Sequence, residues 1–262
     1  MIAFLQGVAM NREKRVMDVL SEIGKLLLQH GAETDVVEKG IQKAALNFGY
    51  DHVEILVLPN TIMLTLASDG EVHHTKLQRA ERQDVNFKAL DKVEAMIRGI
   101  DGATDIDRLM AALKDETTFG TMYPYYLRNI MAALGCASFS LLFGGDPYIF
   151  AVTFLASYAG FYINGLLLRH FFNPFMVIII VSFTTTMISG LMTLKDDAAH
   201  IAISSAILFL VPSVAFINSI NDLIKRHYNN GIIRGVRGII VSFAIAIGMS
   251  MALNILGVEN FL

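Results

Sequence analysis

Asn218 and Asp222 stand four residues apart, six and ten positions after Pro212, at the end of a long apolar run. On a helix that spacing puts amide and carboxylate on one face. Pro212 removes a backbone donor and crowds the carbonyl of Leu208, which predicts a bent helix with a free acceptor. In such a setting Asp222 suits proton carriage or the binding of an amino group, and Asn218 and Ser213 suit hydrogen bonds to a polar solute. A plainer reading pairs Asp222 with Lys225 or Arg226 at helical spacing. Thr184, Thr185 and Thr186, with Ser182 and Ser189, and Asn164 in another run, add polar groups where an apolar surrounding makes them costly. They read as the facing wall of a solute path, or as hydroxyls bonded back to their own helix.

A second group is His30-Gly31-Ala32-Glu33. An imidazole and a carboxylate three residues apart across a glycine turn suit acid–base work. Alternatively, His30 satisfies the last carbonyls of one helix and Glu33 favours the start of the next. His73 and His74 are adjacent in strand-like sequence and point to opposite faces, so they do not chelate one ion together, and exposed strand histidines are expected. With no CxxC, zinc spacing, Walker loop or GxSxG present, the sequence assigns no catalytic residue, metal or cofactor, and nothing marks a nucleic-acid surface.

The elements that must position these groups divide sharply. Residues 1–120 hold 14 Lys/Arg and 19 Asp/Glu, whereas 121–262 hold 7 and 5. The second part falls into five apolar stretches, about 126–143, 147–168, 172–194, 199–221 and 236–257, each near the roughly 20 helical residues that cross a bilayer core. The expected fold is an α-helical integral membrane bundle of five transmembrane helices behind an N-terminal cytoplasmic α+β domain. If the five alternate, Arg128, Arg169, Lys225, Arg226, Arg234 and Arg237 fall on one side and Lys195 alone on the other. That bias places the N-terminal domain in the cytoplasm and the C-terminus outside. Met1–Met10 is apolar but too short to span, and is expected to pack on the domain or graze the membrane. The lone Cys136 reads as a small packing residue in the first span, compatible with a reducing cytoplasm.

In the N-terminal part, Val16, Val19, Leu20, Ile23, Leu26 and Leu27 recur at helical spacing from about Arg12 to His30. Gly31 stands where a left-handed cap is wanted, and Thr34-Asp35 opens a second helix to about Asn47. Strands follow at Val53–Leu58, Thr61–Ala67 and Val72–Leu77, with Asp69-Gly70 as a tight turn between the last two. Helical spacing returns over Val85–Arg98 and Asp105–Leu113, with Asp105 near a helix start.

Several dispersed segments carry a resemblance. Gln29 to Glu33 resembles the opening motif of the threonine/serine exporter family, and Leu210-Val211-Pro212, Ile217-Asn218, Asp222, His227, Gly231 and Arg234 resemble its fourth-span signature. Tyr123-Pro124, Phe143-Gly144-Gly145 and Ile188-Ser189-Gly190 are also similar. The likeness runs from about Arg15 onward and is nearest to the larger subunits of two-component bacterial succinate exporters. It implies a cytoplasmic domain on half of an exporter, with a small membrane subunit of the same family supplying the other half. Ser213 and Ala215 replace a glycine and a second proline common in the family, which implies a milder break.

The expected function is a secondary exporter in the bacterial inner membrane for a small polar metabolite, threonine, serine or a succinate-like dicarboxylate, driven by an ion or potential gradient. The rivals are a membrane-tethered enzyme built on His30 and Glu33, and a metabolite-sensing membrane protein. Arg234 and Arg237, at the start of the fifth span, either gather anions at the cytoplasmic mouth or anchor the topology. Ala156 with Gly160 and Gly248 with Ala252 permit close helix approach. Five helices enclose a path poorly, so an oligomer, a hetero-complex or both is expected.

Overall fold

The computed structural model describes residues 2–68, 71–80, 85–101, 103–115, 123–170, 173–194 and 196–257. The Asp69-Gly70 turn and Lys195 therefore lie outside the described residues. The chain divides into two compact units, Met1–Thr121 with Ile217–Arg234, and Met122–Phe216 with Gly235–Leu262. Hydropathy does not foretell that Ile217–Arg234 groups with the first 121 residues, because the partners of its many polar side chains lie far away in sequence.

In the first unit, α1 (Ile2–Gln29) starts ten residues ahead of its expected N-terminus, so the apolar opening is helical. Val16, Val19, Leu20, Ile23, Leu26 and Leu27 are all buried, as their spacing requires. Gly31 ends the helix at φ 87°. The Ala32 N–H then closes back on the Leu27 carbonyl at 3.0 Å, the left-handed termination that glycine permits. The next helix, α2 (Thr34–Asn47), buries Val37, Ile41 and Ala44.

Strands β1 (His52–Leu58), β2 (Thr61–Ser68) and β3 (Glu71–Arg79) form an antiparallel meander in that order. Strand alternation sends Ile62, Leu64 and Leu66 into the core and leaves Met63 on the outer face. His74 shares a face with Lys76, which pairs with Asp18 of α1. It is accordingly half-buried rather than exposed, with its Nε2 out of solvent. The side chain of His73 is outside the description. Helices α3 (Phe87–Arg98) and α4 (Ile106–Lys114) close the core, and Asp105 caps α4 by accepting from the N–H groups of Asp107 and Arg108.

The unit is completed by the end of α9 (Ser213–Ile224) and the start of α10 (Tyr228–Leu256). Ser219 Oγ donates to the Gly231 carbonyl at 2.7 Å, holding the two helices together. Arg226, at φ 69°, turns the chain between them and is the one described non-glycine residue in the left-handed region.

The second unit is helical: α5 (Tyr125–Leu142), α6 (Pro147–Arg169), α7 (Pro174–Met192), α8 (Ala199–Ala206), a 3-10 turn (Leu208–Leu210), the first turn of α9 and the rest of α10. Asp146 and Asn173 cap α6 and α7, with proline in the first turn of each. Among the described residues α6, α7 and α10 are long and apolar enough to cross a membrane. The pair Ala199–Leu210 and Ser213–Ile224, bent by 61°, is a fourth if it is one span. The expected first span, α5, is not among them. It is 18 residues long, and Arg128 and Asn129 in its first turns dilute its apolarity.

Pro212 lies at the break, as expected, although the bend is large rather than mild. Val211 is extended, and the 3-10 turn lets the Val211 N–H donate to the Leu208 carbonyl at 3.1 Å. The acceptor expected to be left free is thus satisfied. A second correction concerns the last helix, whose polar first turns hydropathy omits: it begins at Tyr228, so Arg234 and Arg237 lie six and nine residues past its start.

Small residues set the helix spacing. Gly160 faces Thr185 and Phe209, and Gly248 lies against the backbone of α7. Both small-residue pairs are therefore used within this chain. A Cβ at Gly248 would fall 2.3 Å from the Ile179 carbonyl oxygen, whereas one at Gly135 meets nothing within 4 Å. We expect Gly248→Val to destabilise the detergent-solubilised protein by about 1–3 kcal/mol and to lower its midpoint in a thermal-shift assay, with Gly135→Ala as the unchanged control.

Candidate functional site

Local folding brings the two sequence groups together inside the first unit. The cap at Gly31 turns the chain so that Glu33 precedes α2 in an extended conformation, with no side-chain cap of its own. The first N–H groups of a helix lack intrahelical acceptors. That of Thr34 is satisfied by Asp222, whose Oδ1 accepts it at 3.1 Å from 188 residues away. Asp222 is wholly buried. Its Oδ2 lies 3.2 Å from Nη1 of Arg234, so the partner is an arginine twelve residues on, not the neighbouring Lys225 or Arg226.

Hydrogen bonds surround this pair. Arg234 Nη2 donates to the Ala32 carbonyl at 3.0 Å, and Asn218 Nδ2 donates to the Gly31 carbonyl at 3.0 Å. Asn230 Nδ2 donates to Thr34 Oγ1 and to the Val57 carbonyl, both at 2.9 Å. Asn221 Nδ2 donates to Glu33 Oε1 at 2.7 Å, and Lys225 Nζ reaches Glu33 Oε2 at 2.9 Å and Asp35 Oδ2 at 3.1 Å. His227 Nδ1 stands 3.6 Å from Glu38 Oε1.

The charges shift one another accordingly. Lys225 holds the Glu33 carboxyl below its ordinary range, opposed by burial and aided by Asn221. Lys39 and then Lys225 do the same for Asp35, while burial pushes the Glu38 carboxyl up. Both Glu33 oxygens are engaged with α9, which leaves that carboxylate committed to holding helices together.

Expected pathway residues separate between the units: Asn218, Asp222, Arg234, His30, Gly31 and Glu33 belong to the first, and Asn164, Thr184, Thr185, Thr186, Pro212, Ser213 and Arg237 to the second. Within the second, Thr184 bonds back to the Ile180 and Val181 carbonyls. Thr185 and Thr186 are wholly buried, and their hydroxyls have no partner among the described residues. Asn164 is half-buried; Ser213 and Arg237 are exposed. The structure adds Thr153 and Ser205, buried hydroxyls in the same state. Thr153, Ser157 and Gly160 follow one face of α6; Ser157 donates to the Ala206 carbonyl of α8, and Gly160 meets Thr185 of α7. The unit interior is therefore lined by hydroxyls with spare hydrogen-bonding capacity. The periodicity of small polar residues on α6 was a readable signal for Thr153. Thr34 and Asn230, the other residues missed, act through partners remote in sequence.

The family model described as "Putative threonine/serine exporter" matches residues 18–256. The chain belongs to this family. Similar curated proteins include two named "Probable succinate transporter subunit YjjP". The one from Klebsiella aerogenes is 29% identical over 258 residues, 96% of this chain and 98% of the relative. The one from Escherichia coli K12 is 28% identical over 257 residues, 95% and 98% of the two chains. An "Uncharacterized protein" of Haemophilus influenzae is 27% identical over 141 residues, 54% of this chain and 47% of its own. No solved structure gives a significant match.

Two predictions follow from the site. Truncating one side of a buried pair strands the other charge, so Asp222→Ala should destabilise the protein by about 3 kcal/mol and expose the start of α2 to hydrogen exchange. The Glu33 and Asp35 ties to Lys225 have the sign of depressed carboxyls: their contribution is complete above the unfolded-state values and fades as pH falls through the lower folded ones. Thermal midpoints of the wild type and Lys225→Gln should differ above about pH 5 and converge in more acid buffer.

Proposed function

We propose that the protein is the domain-bearing subunit of a gradient-driven exporter that moves a small polar metabolite out of the bacterial cytoplasm across the inner membrane, a dicarboxylate of the succinate class ahead of threonine or serine. The observation that carries this reading is the near end-to-end similarity to two proteins named as succinate transporter subunits. A subunit implies a companion, and we take it to be a small membrane protein of the same family that completes the path, in an oligomeric assembly.

The second unit is the conduit in this reading. Large apolar side chains such as Phe243, Ile239, Leu155 and Phe139 stay on its outside, as lipid or a membrane partner requires. The hydroxyls of Thr153, Thr185, Thr186 and Ser205 face inward and stand in for water around a polar solute. Asn164 and Ser213 are further candidates for its wall. The sequence carries no Walker loop, and in this reading the energy comes from gradients. An inside-negative potential favours outward passage of a dianion by about 2.3 kcal/mol per charge per 100 mV, whereas a zwitterion requires an exchanged ion.

We place five crossings in the membrane, α5 included, since its 18 residues extend about 27 Å. The charged first unit then lies in the cytoplasm and the C-terminus outside, a placement that the distribution of Lys and Arg supports.

Right-side-out vesicles loaded with labelled succinate, threonine or serine test the function. Efflux should require both this chain and the small partner, should be fastest for succinate, and should collapse with the membrane potential; absence of efflux for all three solutes would refute the proposal. The topology has its own test. In spheroplasts a membrane-impermeant thiol reagent should label a cysteine appended after Leu262, and should label Lys225→Cys only after permeabilisation.

A further inference from the structure

We propose that the pocket filled by Asp222 is a binding site for a carboxylate of the exported solute, and that Asp222 is a built-in stand-in which holds the site shut until a solute carboxylate replaces it. This rests on the exporter reading and names the site at which that reading begins.

The donors around Asp222 are those that a free carboxylate needs. The Thr34 N–H points out of the start of a 14-residue helix, where the dipole favours an anion. The Arg234 guanidinium is anchored through Nη2 on the Ala32 carbonyl, which leaves Nη1 directed at the carboxylate. A carboxylate already occupies the site, yet it fits imperfectly. Asp222 Oδ2 and Arg234 Nη1 are 3.2 Å apart, but neither atom completes a hydrogen bond of good geometry with the other or with any described residue. Asn230, only 3% exposed, likewise carries an Oδ1 without a partner. Three polar atoms left buried in one place are a costly arrangement for a purely structural clamp.

A short aspartate fixed to α9 reaches Thr34 but does not align its second oxygen with Arg234. A free carboxylate has no such tether and can satisfy both donors, and its second functional group can take up the Asn230 oxygen if that group is a protonated amine or acid. The side chains that would close around it, Asn218 and Asn221, are uncharged donors from the same helix as Asp222. Displacement of Asp222 therefore releases the tie of α9 to the Thr34 N–H while those of Asn218, Asn221 and Lys225 to Gly31, Glu33 and Asp35 remain, and the core formed by α1, α2 and the sheet stays closed. The solute competes with an intramolecular anion, so its apparent affinity is weakened by the fraction of molecules in which Asp222 is seated.

Titration calorimetry of the full chain in nanodiscs tests this with succinate as the probe and uncharged succinamide as the control. Asp222→Asn keeps the shape and removes the competing charge, and it should bind succinate at least tenfold more tightly than the wild type. Adding Arg234→Gln should abolish binding in that background, and succinamide should not bind any form. Asp222→Ser serves the same purpose if the asparagine variant does not fold. Succinate affinity that stays equal or weakens in both folded variants overturns the inference, because a structural carboxylate competes with nothing. The vesicle assay keeps the two ideas apart: efflux by the wild type with unimproved binding in the variants removes this site and leaves the exporter, whereas tighter binding without efflux removes the exporter and leaves the site.

Discussion

A fully buried carboxylate holds the first unit together across 188 residues of chain. Taking Asp222 out of water costs several kcal/mol unless its charge is met, and it is met twice, by the unpaired amide at the start of α2 and by Arg234. Both partners depend on the same glycine. Gly31 turns back so sharply that the Thr34 N–H and the Ala32 carbonyl come to face α9 and α10. The two polar segments singled out in the sequence, remote from each other along the chain, are thus two halves of one polar junction.

The second unit answers a different constraint. Hydrophobicity does not drive helices together in lipid, so contact area must come from close approach and from hydrogen bonds between helices. Gly160 and Gly248 provide the first, and Ser157 and Ser182 the second, by donating to the Ala206 and Ile245 carbonyls. The break around Pro212 separates α8 from α9 without leaving the adjacent Leu208 carbonyl unsatisfied. What remains inside is a set of threonine and serine hydroxyls that packing alone does not use.

How much of this was legible depended on range. The α1 stripe, the Gly31 cap, the three strands and the Asp105 cap are local patterns, and residues within a few positions of each other determine them. The bend at Pro212 is equally local, and its size was misjudged only because the extended Val211 and the 3-10 turn add to what the proline does. Asp222 was legible as unusual and illegible in its partners: the neighbours at helical spacing were wrong, because Arg234 returns to it through the turn at Arg226. Likewise Glu33 looked available for chemistry with His30 because nothing near it in sequence announces Asn221 and Lys225. The membrane count was less legible: three helices and one bent pair are apolar and long enough to cross, and α5, with Arg128 and Asn129 in its first turns, is not among them.

The length of α10 carries a last implication. Its 29 residues reach about 43 Å, against a hydrocarbon layer of about 30 Å. The surplus falls at the polar end that contains Asn230 and Arg234. If α10 crosses the bilayer as proposed, a thicker membrane would draw those turns toward the hydrocarbon and a thinner one would release them or tilt the rod. On that reading, lipid composition bears on the ion pair through which Arg234 of α10 holds Asp222 of α9.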